Sequence, residues 1–357
     1  MNTKSLLTLL ILLFVILSIS ACEKDDESLN DTDKPPLSQA CGDGICDERE
    51  SKKGICQEDC QENNGNQNKK GGDLQELIDR AREKAITSEL IDENYDIEYA
   101  SVNGKSLFLD YYIPEDSTGS EPVIIWIHGG AFCSGTKFQV SSSAIKIAEE
   151  GYAVLAIDYR VCSEAIFPEA IYDIKSAVRW ARQNADDLGF NADKIGVIGS
   201  SSGGHYASML GTSSGHLEGD VGDNTDYSSS VQAVVDLYGP VNFLTMTEDC
   251  AGNCVMDHDD STSPESKFIG CGIQDCPDIA TEASPQTYIT SDDPPFLILH
   301  GSDDQTIPIG QSENFHQALL DAGIDSTFIT AEGYGHDYTI SIRYHDEIIE
   351  FFDSYLK

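Results

Sequence analysis

An α/β fold, with a mainly parallel twisted sheet covered by helices on both faces, is predicted for most of this 357-residue chain. Three observations predict it. Short β-rich apolar runs alternate with stretches of helical periodicity, and several of those runs end in glycine-containing turns that present polar residues. The alternating region, roughly 280 residues, has the size of a single α/β domain. The runs 107–112, 123–127, 153–157, 195–198, 233–238, 296–299 and 327–329 read as strands. Between them, 141–150, 171–188, 204–210, 311–322 and 340–356 read as helices. In the second of these, Ile171, Ile174, Val178, Ala181 and Ala185 recur at helical spacing. A sheet of this kind offers its strand ends as a site for chemistry.

The strand at 195–198 ends in Gly199-Ser-Ser-Ser-Gly203, which is G-x-S-x-G in the register Gly199, Ser201, Gly203. A buried strand that turns sharply into a helix needs small residues on either side of the turn. The residue between them then carries an exposed hydroxyl. Of the neighbouring serines only Ser201 has glycine at both flanking positions. The motif alone is common by chance, and its weight comes from three other segments. Residues 123–132 run from a β-branched strand into His128-Gly129-Gly130, where backbone N–H groups can approach an oxyanion. The segment 294–308 is a further strand whose turn presents Asp303 and Asp304, of which Asp304 is the better candidate. Gly333-Tyr-Gly-His336 places a histidine in a loop before the last helix.

The order Ser201, Asp304, His336 is that of the α/β-hydrolase triad, and neither the chymotrypsin nor the subtilisin order. A serine hydroxyl is a poor nucleophile at neutral pH, so His336 would take its proton and Asp304 would orient the imidazole. The N–H groups of Gly129, Gly130 and Ser202 would receive the developing negative charge. Of the other histidines, His128 is expected to order the oxyanion loop and His205 to begin the helix after Ser201. His300 reads as a turn residue before Gly301, and His345 as a surface residue of the last helix. No cofactor and no catalytic metal are expected.

From about Ile97 onward the chain resembles the bacterial bifunctional acetylxylan/feruloyl esterase family and its hormone-sensitive-lipase-like relatives. The resemblance is carried by Trp-Ile-His-Gly-Gly-Ala-Phe (126–132), Ile-Asp-Tyr-Arg (157–160), Phe-Pro-Glu-Ala (167–170) and Ala-Val-Arg-Trp (177–180). It continues through Gly-Ser-Ser-Ser-Gly-Gly-His (199–205), the run 283–296, and His-Gly-Ser-Asp-Asp-Gln-Thr-Ile-Pro (300–308). It implies an α/β-hydrolase fold, with Ser201, Asp304 and His336 on the family's triad positions. One departure is Ala131, where many relatives carry a third glycine; it adds a methyl beside the oxyanion loop without removing an N–H. In the resembled fold the insertion between the strands near Tyr238 and Phe296 covers the active site. The cysteines Cys250, Cys254, Cys271 and Cys276 would make it a disulfide-braced lid. Cys133 and Cys162 each follow a strand, and a bridge between those adjacent loops is expected.

The N-terminal part reads differently. Residues 1–21 carry one lysine, an apolar run from Leu6 to Ile19, and small residues before Cys22. A run this short is a signal peptide rather than a spanning helix. The residues before Cys22 resemble a bacterial lipobox, which makes Cys22 the expected lipidation site; an uncleaved anchor or simple secretion is the alternative. Of eleven cysteines, removing Cys22 leaves ten, an even number. Residues 22–40 form an acidic tether, whose Glu-Lys-Asp-Asp-Glu (23–27) resembles the export tag of some surface lipoproteins. Cys41, Cys46, Cys56 and Cys60 make a small module (41–60) expected to hold two disulfides, whose pairing the sequence leaves open. Calcium at Asp43, Asp47, Glu48 and Asp59 stays an alternative role for that module. Its cysteine spacing is not that of a zinc ribbon. Residues 61–72 are a flexible linker by composition, and the catalytic domain is expected over 73–357, beginning with an amphipathic helix at 73–84.

Sixty-two acidic against twenty-two basic residues give a formal net charge of −40. Such a surface repels nucleic acid and anionic membrane faces, so neither is an expected partner. Contact with a membrane is expected through the lipid anchor alone, on the outer membrane or cell surface. High net charge also favours solubility in salt, and we read it as an adaptation to a saline setting. Together these features predict a serine carboxylic ester hydrolase acting on acetyl or feruloyl groups of a polysaccharide. A general short-chain carboxylesterase is the alternative, and a binding protein that retains the hydrolase fold is a more distant one.

Overall fold

A computed structural model describes residues 91–357. The signal peptide, Cys22, the module of Cys41, Cys46, Cys56 and Cys60, the linker and the helix expected at 73–84 lie outside the described residues. Eight strands form one sheet: β1 (Ile91–Val102), β2 (Lys105–Pro114), β3 (Glu121–Ile127), β4 (Ala153–Ile157), β5 (Phe190–Ser200), β6 (Ala233–Leu237), β7 (Phe296–Gly301) and β8 (Ser326–Ala331). Their order in space is β1-β2-β4-β3-β5-β6-β7-β8. The first two pairings are antiparallel, and every pairing from β4 to β8 is parallel.

The central strands are apolar at almost every position because both of their faces are buried. Val123, Ile125 and Ile127 of β3 enter one core, while Ile124 and Trp126 enter the other. The first core is closed by α2 (Glu169–Gln183), α4 (Ser202–Thr212) and α8 (Gly310–Asp321), through Ile171, Ile174, Val178, Met209, Leu210, Phe315 and Leu319. The second is closed by α1 (Ser141–Glu149) and α10 (His345–Leu356), through Ala144, Ile145, Ala148, Ile348, Phe352 and Leu356. The stretch read as one helix over 171–188 is α2 followed by α3 (Ala185–Leu188), with the break at Asn184. That over 340–356 is α9 (Thr339–Arg343) followed by α10, with the break at Tyr344. β1 was not among the expected strands.

A segment of 238–295 leaves the sheet after β6 and returns at β7. It holds α5 (Met246–Asp249), α6 (Pro264–Ile269) and α7 (Pro277–Glu282). Its cysteines pair locally, Cys250 with Cys254 and Cys271 with Cys276, so each bridge tightens one turn and neither spans the insertion. Phe268 of α6 stacks on Phe132, with ring centroids 4.5 Å apart, and Phe243 meets the same ring edge-on at 5.8 Å. The Val255 N–H donates to the Gln305 carbonyl at 2.8 Å. The insertion therefore lies against both the loop after β3 and the loop after β7. A third bridge joins Cys133 to Cys162, linking the loops after β3 and β4. Among the described residues no helix is long and apolar enough to cross a membrane.

Candidate active site

β3 lies between β4 and β5, so the chain leaves it in one direction and later returns on the other side. A crevice opens at the carboxyl ends of strands at such a switch point. Gly129 follows β3 and Ser201 follows β5, at adjacent strand ends. At Ser201 the backbone takes φ 56° and ψ −124° before α4 begins. A side chain in that region is strained, and such strain persists only where the surroundings fix it. Close packing fixes it here. A Cβ on Gly199 would sit 2.0 Å from the Gly203 carbonyl oxygen, and one on Gly203 would sit 2.2 Å from that of Ile127. Both glycines of the motif are therefore required by contact, not only by turn geometry.

The hydrogen bonds assign the histidine tautomer. Nδ1 of His336 lies 2.7 Å from Oδ2 of Asp304, and a carboxylate oxygen can only accept, so Nδ1 carries the proton. Nε2 is left with a lone pair, 2.8 Å from the Ser201 hydroxyl that donates to it. The Asp304 side chain is fully buried and that of His336 is 22% exposed, so the base alone is open to incoming water. The other Asp304 oxygen, Oδ1, accepts the N–H groups of Thr306 at 2.8 Å and Ile307 at 3.0 Å. Burial by itself raises this carboxyl. Hydrogen bonds from His300 and His336 outweigh burial and hold it well below the usual carboxylate range. The structure thus brings Ser201, His336 and Asp304 into one chain of contacts. Asp303 stands outside that chain, its Oδ1 accepting from the Ser302 hydroxyl.

On the oxyanion side, a Cβ on Gly129 would fall 2.7 Å from the Ser200 carbonyl oxygen and 3.2 Å from Ser201 Cβ, so only glycine lets the two loops approach this closely. Gly130 has φ 137°, and a Cβ there would meet the Ser134 carbonyl oxygen at 1.9 Å. Ala131 follows at φ 53° with its side chain exposed, which directs the extra methyl away from the packed side of the loop. Ser202, whose N–H is the third expected donor, is the first residue of α4 and is buried. His128 is buried with its Nδ1 2.7 Å from the Gly129 carbonyl, and its ring stacks on Tyr159 at 4.4 Å. Burial pushes its pKa down to about 4, so it is a neutral brace for the loop at ordinary pH.

Two neighbours of this site carry no signal as isolated residues. His300 is a buried member of β7 rather than a turn residue. Its Nε2 faces the Ile307 carbonyl at 2.9 Å and Asp304 Oδ2 at 3.3 Å, so Nε2 carries the proton. Nδ1 then accepts from the Ser312 hydroxyl at 2.7 Å. Tyr238, at φ 48° directly after β6, sets its ring edgewise against His336 at 4.8 Å. Position offered one clue: His300 sits at a strand end, four residues before Asp304.

Comparison with known proteins gives a consistent set of likenesses. The BD-FAE family profile matches residues 109–319. The chain is 30% identical over 235 residues to esterase LipC of Mycobacterium tuberculosis, covering 62% of this chain and 54% of LipC. It thus spans about half the length of the curated relatives it matches. Among solved structures it is similar to a truncated carbohydrate esterase from gut microbiota (TM-score 0.67, 31% identity, 75% of this chain and 98% of that one). It is also similar to a bifunctional GH43-CE protein of Bacteroides eggerthii (TM-score 0.67, 32% identity, 75% and 35%). A third likeness is to Thermogutta terrifontis esterase 2 (TM-score 0.60, 25% identity, 72% and 92%).

Proposed function

The chain belongs to the BD-FAE family, and from that membership and the geometry of Ser201 we propose that it is a serine carboxylic ester hydrolase that removes acetyl or feruloyl groups from a polysaccharide. The observation that carries this reading is the hydrogen-bonded series from Ser201 through His336 to Asp304, at 2.8 and 2.7 Å. Ser201 Oγ attacks the ester carbonyl carbon as its proton passes to His336 Nε2. The carbonyl π electrons move onto oxygen, and the N–H groups of Gly129, Gly130 and Ser202 receive that charge. One such donor is worth roughly 3–4 kcal/mol of transition-state stabilisation. Collapse of the tetrahedral intermediate breaks the bond to the alcohol oxygen, which leaves with the proton from His336. Water then repeats the sequence on the acyl-serine, restoring Ser201 and releasing the acid. Asp304 stays ionised throughout and stabilises the imidazolium.

The test is hydrolysis of p-nitrophenyl acetate, acetylated xylan and methyl ferulate by the wild type and by Ser201→Ala. We expect turnover of the first and of at least one of the other two, with kcat falling roughly 10⁴-fold or more in the variant. Activity retained by Ser201→Ala would overturn the assignment of the nucleophile.

We further propose that the protein is exported and anchored by lipid at Cys22. Support comes from the apolar run at 6–19, the small residues before Cys22, and the use of disulfides in the folded domain. Metabolic labelling with a palmitate analogue should mark the wild type and not Cys22→Ala. Equal labelling of both would remove the proposal.

A further inference from the structure

β3 and β4 run side by side and end level, with Ile127 beside Ile157. His128, Gly129 and Gly130 follow the first strand, and Asp158, Tyr159 and Arg160 follow the second. The second trio carries no reacting group, yet its middle member reaches the oxyanion loop. Tyr159 is buried, and its O–H donates to the His128 carbonyl at 2.9 Å. Its ring also lies flat on the His128 imidazole, with centroids 4.4 Å apart and planes 15° from parallel. Arg160 anchors the segment on Asp173 of α2. Its N–H donates to Asp173 Oδ2 at 3.0 Å and its guanidinium to Oδ1 at 2.7 Å.

A trans peptide sets its N–H opposite its C=O, so whatever holds a carbonyl also aims the N–H of the next residue. Tyr159 therefore sets the plane of the 128–129 peptide, whose N–H belongs to Gly129. His128 sets the next plane, because its Nδ1 donates to the Gly129 carbonyl at 2.7 Å, and that plane's N–H belongs to Gly130. A Cβ on Gly135 would lie 2.4 Å from Nδ1 and 2.3 Å from the Gly129 carbonyl oxygen, so backbone covers this bond closely. The imidazole needs a support of its own. With the proton on Nδ1, Nε2 offers only a lone pair; it is buried and makes no hydrogen bond among the described residues. Asp158 Oδ1 stands 4.0 Å from it, and a carboxylate has no proton to give. The ring is therefore held by its stack on Tyr159.

We propose that Tyr159 is the positioning residue of the oxyanion hole. One side chain aims both glycine N–H groups, the first through its hydroxyl and the second through the imidazole it supports. The inference rests on the ester-hydrolase reading, with Gly129 and Gly130 as donors. Loss of Tyr159 leaves those donors in place and misaims them. The effect then falls on the transition state, where the charge develops, and not on the bound ester.

Tyr159→Phe keeps the ring and removes the O–H, while Tyr159→Leu removes both supports. Tyr206→Phe is the control, since Tyr206 meets the Tyr159 ring edge-on at 4.8 Å and its buried O–H has no hydrogen-bond partner. With p-nitrophenyl acetate we expect kcat to fall about tenfold in Tyr159→Phe and further in Tyr159→Leu, with KM within about twofold of wild type. Tyr206→Phe should keep kcat within about twofold. The Phe variant decides the matter whether or not Tyr159→Leu folds. A Tyr159→Phe enzyme with wild-type kcat, or one whose loss appears in KM alone, would overturn the inference and leave the ester-hydrolase reading intact. So would an equal fall of kcat in Tyr206→Phe, which would mark a general loosening of the aromatic cluster. A wild type that does not hydrolyse p-nitrophenyl acetate would remove the ester-hydrolase reading, and this inference with it.

Discussion

Asp304 meets four donors: His336 and His300 on Oδ2, and the N–H groups of Thr306 and Ile307 on Oδ1. A carboxylate so enclosed cannot rotate, and its orientation fixes that of His336. His300 shares its Nε2 proton between Asp304 and the Ile307 carbonyl, with Ser312 fixing its tautomer from behind. His300 is therefore a positioning residue acting through Asp304. Losing one hydrogen bond to a charged group costs about 1.5–3 kcal/mol, or roughly 10–100-fold in rate. His300→Phe should lower kcat by that factor with KM unchanged, while Ser312→Ala should have a smaller effect in the same direction. A His300→Phe enzyme with wild-type kcat would remove this role. Ser201, Asp304 and His336 were readable in the sequence because each stands in a turn beside glycine or after an apolar run. His300 was not, because a histidine before a glycine looks the same whether its ring faces solvent or a carboxylate.

At the scale of elements, the strands that read clearly were those buried on both faces, since a short unbroken apolar run between turn residues fits a fully buried strand. β1 escaped because it is an edge strand with a mixed pattern. Its pairing with β2 is interrupted between Asn94 and Ile97 and between Glu98 and Ala100, and Asp96 takes φ 56°. Bulges of this kind break the alternation on which strand recognition depends. The breaks at Asn184 and Tyr344 were hidden for the converse reason, because apolar spacing carries across both from one helix to the next. The Cys133–Cys162 bridge was expected, because each cysteine follows a strand and the two loops are neighbours. The pairing of Cys250, Cys254, Cys271 and Cys276 was not legible in the sequence. Cys133–Cys162 joins strand-end loops 29 positions apart, whereas the other two bridges close spans of 4 and 5. On chain-entropy grounds the first constrains the unfolded chain most. It also holds Phe132, on which the insertion packs, beside the loop after β4.

Across the whole molecule, stability and the site are linked through buried histidines. Burial lowers His128 to about 4 and His205 to about 3, each partly offset by a hydrogen bond, to the Gly129 and Pro240 carbonyls respectively. Between their ordinary value near 6.5 and these lowered values, the unfolded chain binds protons that the folded chain does not. Their contribution is complete above about pH 6.5 and is lost as the pH falls toward 4 and 3, at about 1.4 kcal/mol for each histidine per unit. Asp304 adds to this loss only at the acid end, below about pH 4.5, where the unfolded carboxyl takes up a proton near its ordinary value while the folded one stays ionised. The urea midpoint should therefore drop between pH 7 and pH 4.5. His205→Asn, which can still donate to Pro240 but does not titrate, should show a shallower slope. Equal slopes in the two proteins would contradict the account of His205. None of this was legible from composition, where the net charge of −40 dominates and the depth of a single histidine does not register.

The central claim is that one alcohol, Ser201, is activated by the His336–Asp304 pair. Peptide mapping after treatment with diethyl p-nitrophenyl phosphate tests it most directly. We predict one diethylphosphoryl group per chain, carried by Ser201 and absent from Ser201→Ala. An active esterase that carries the group on another residue, or takes up none, would contradict the account.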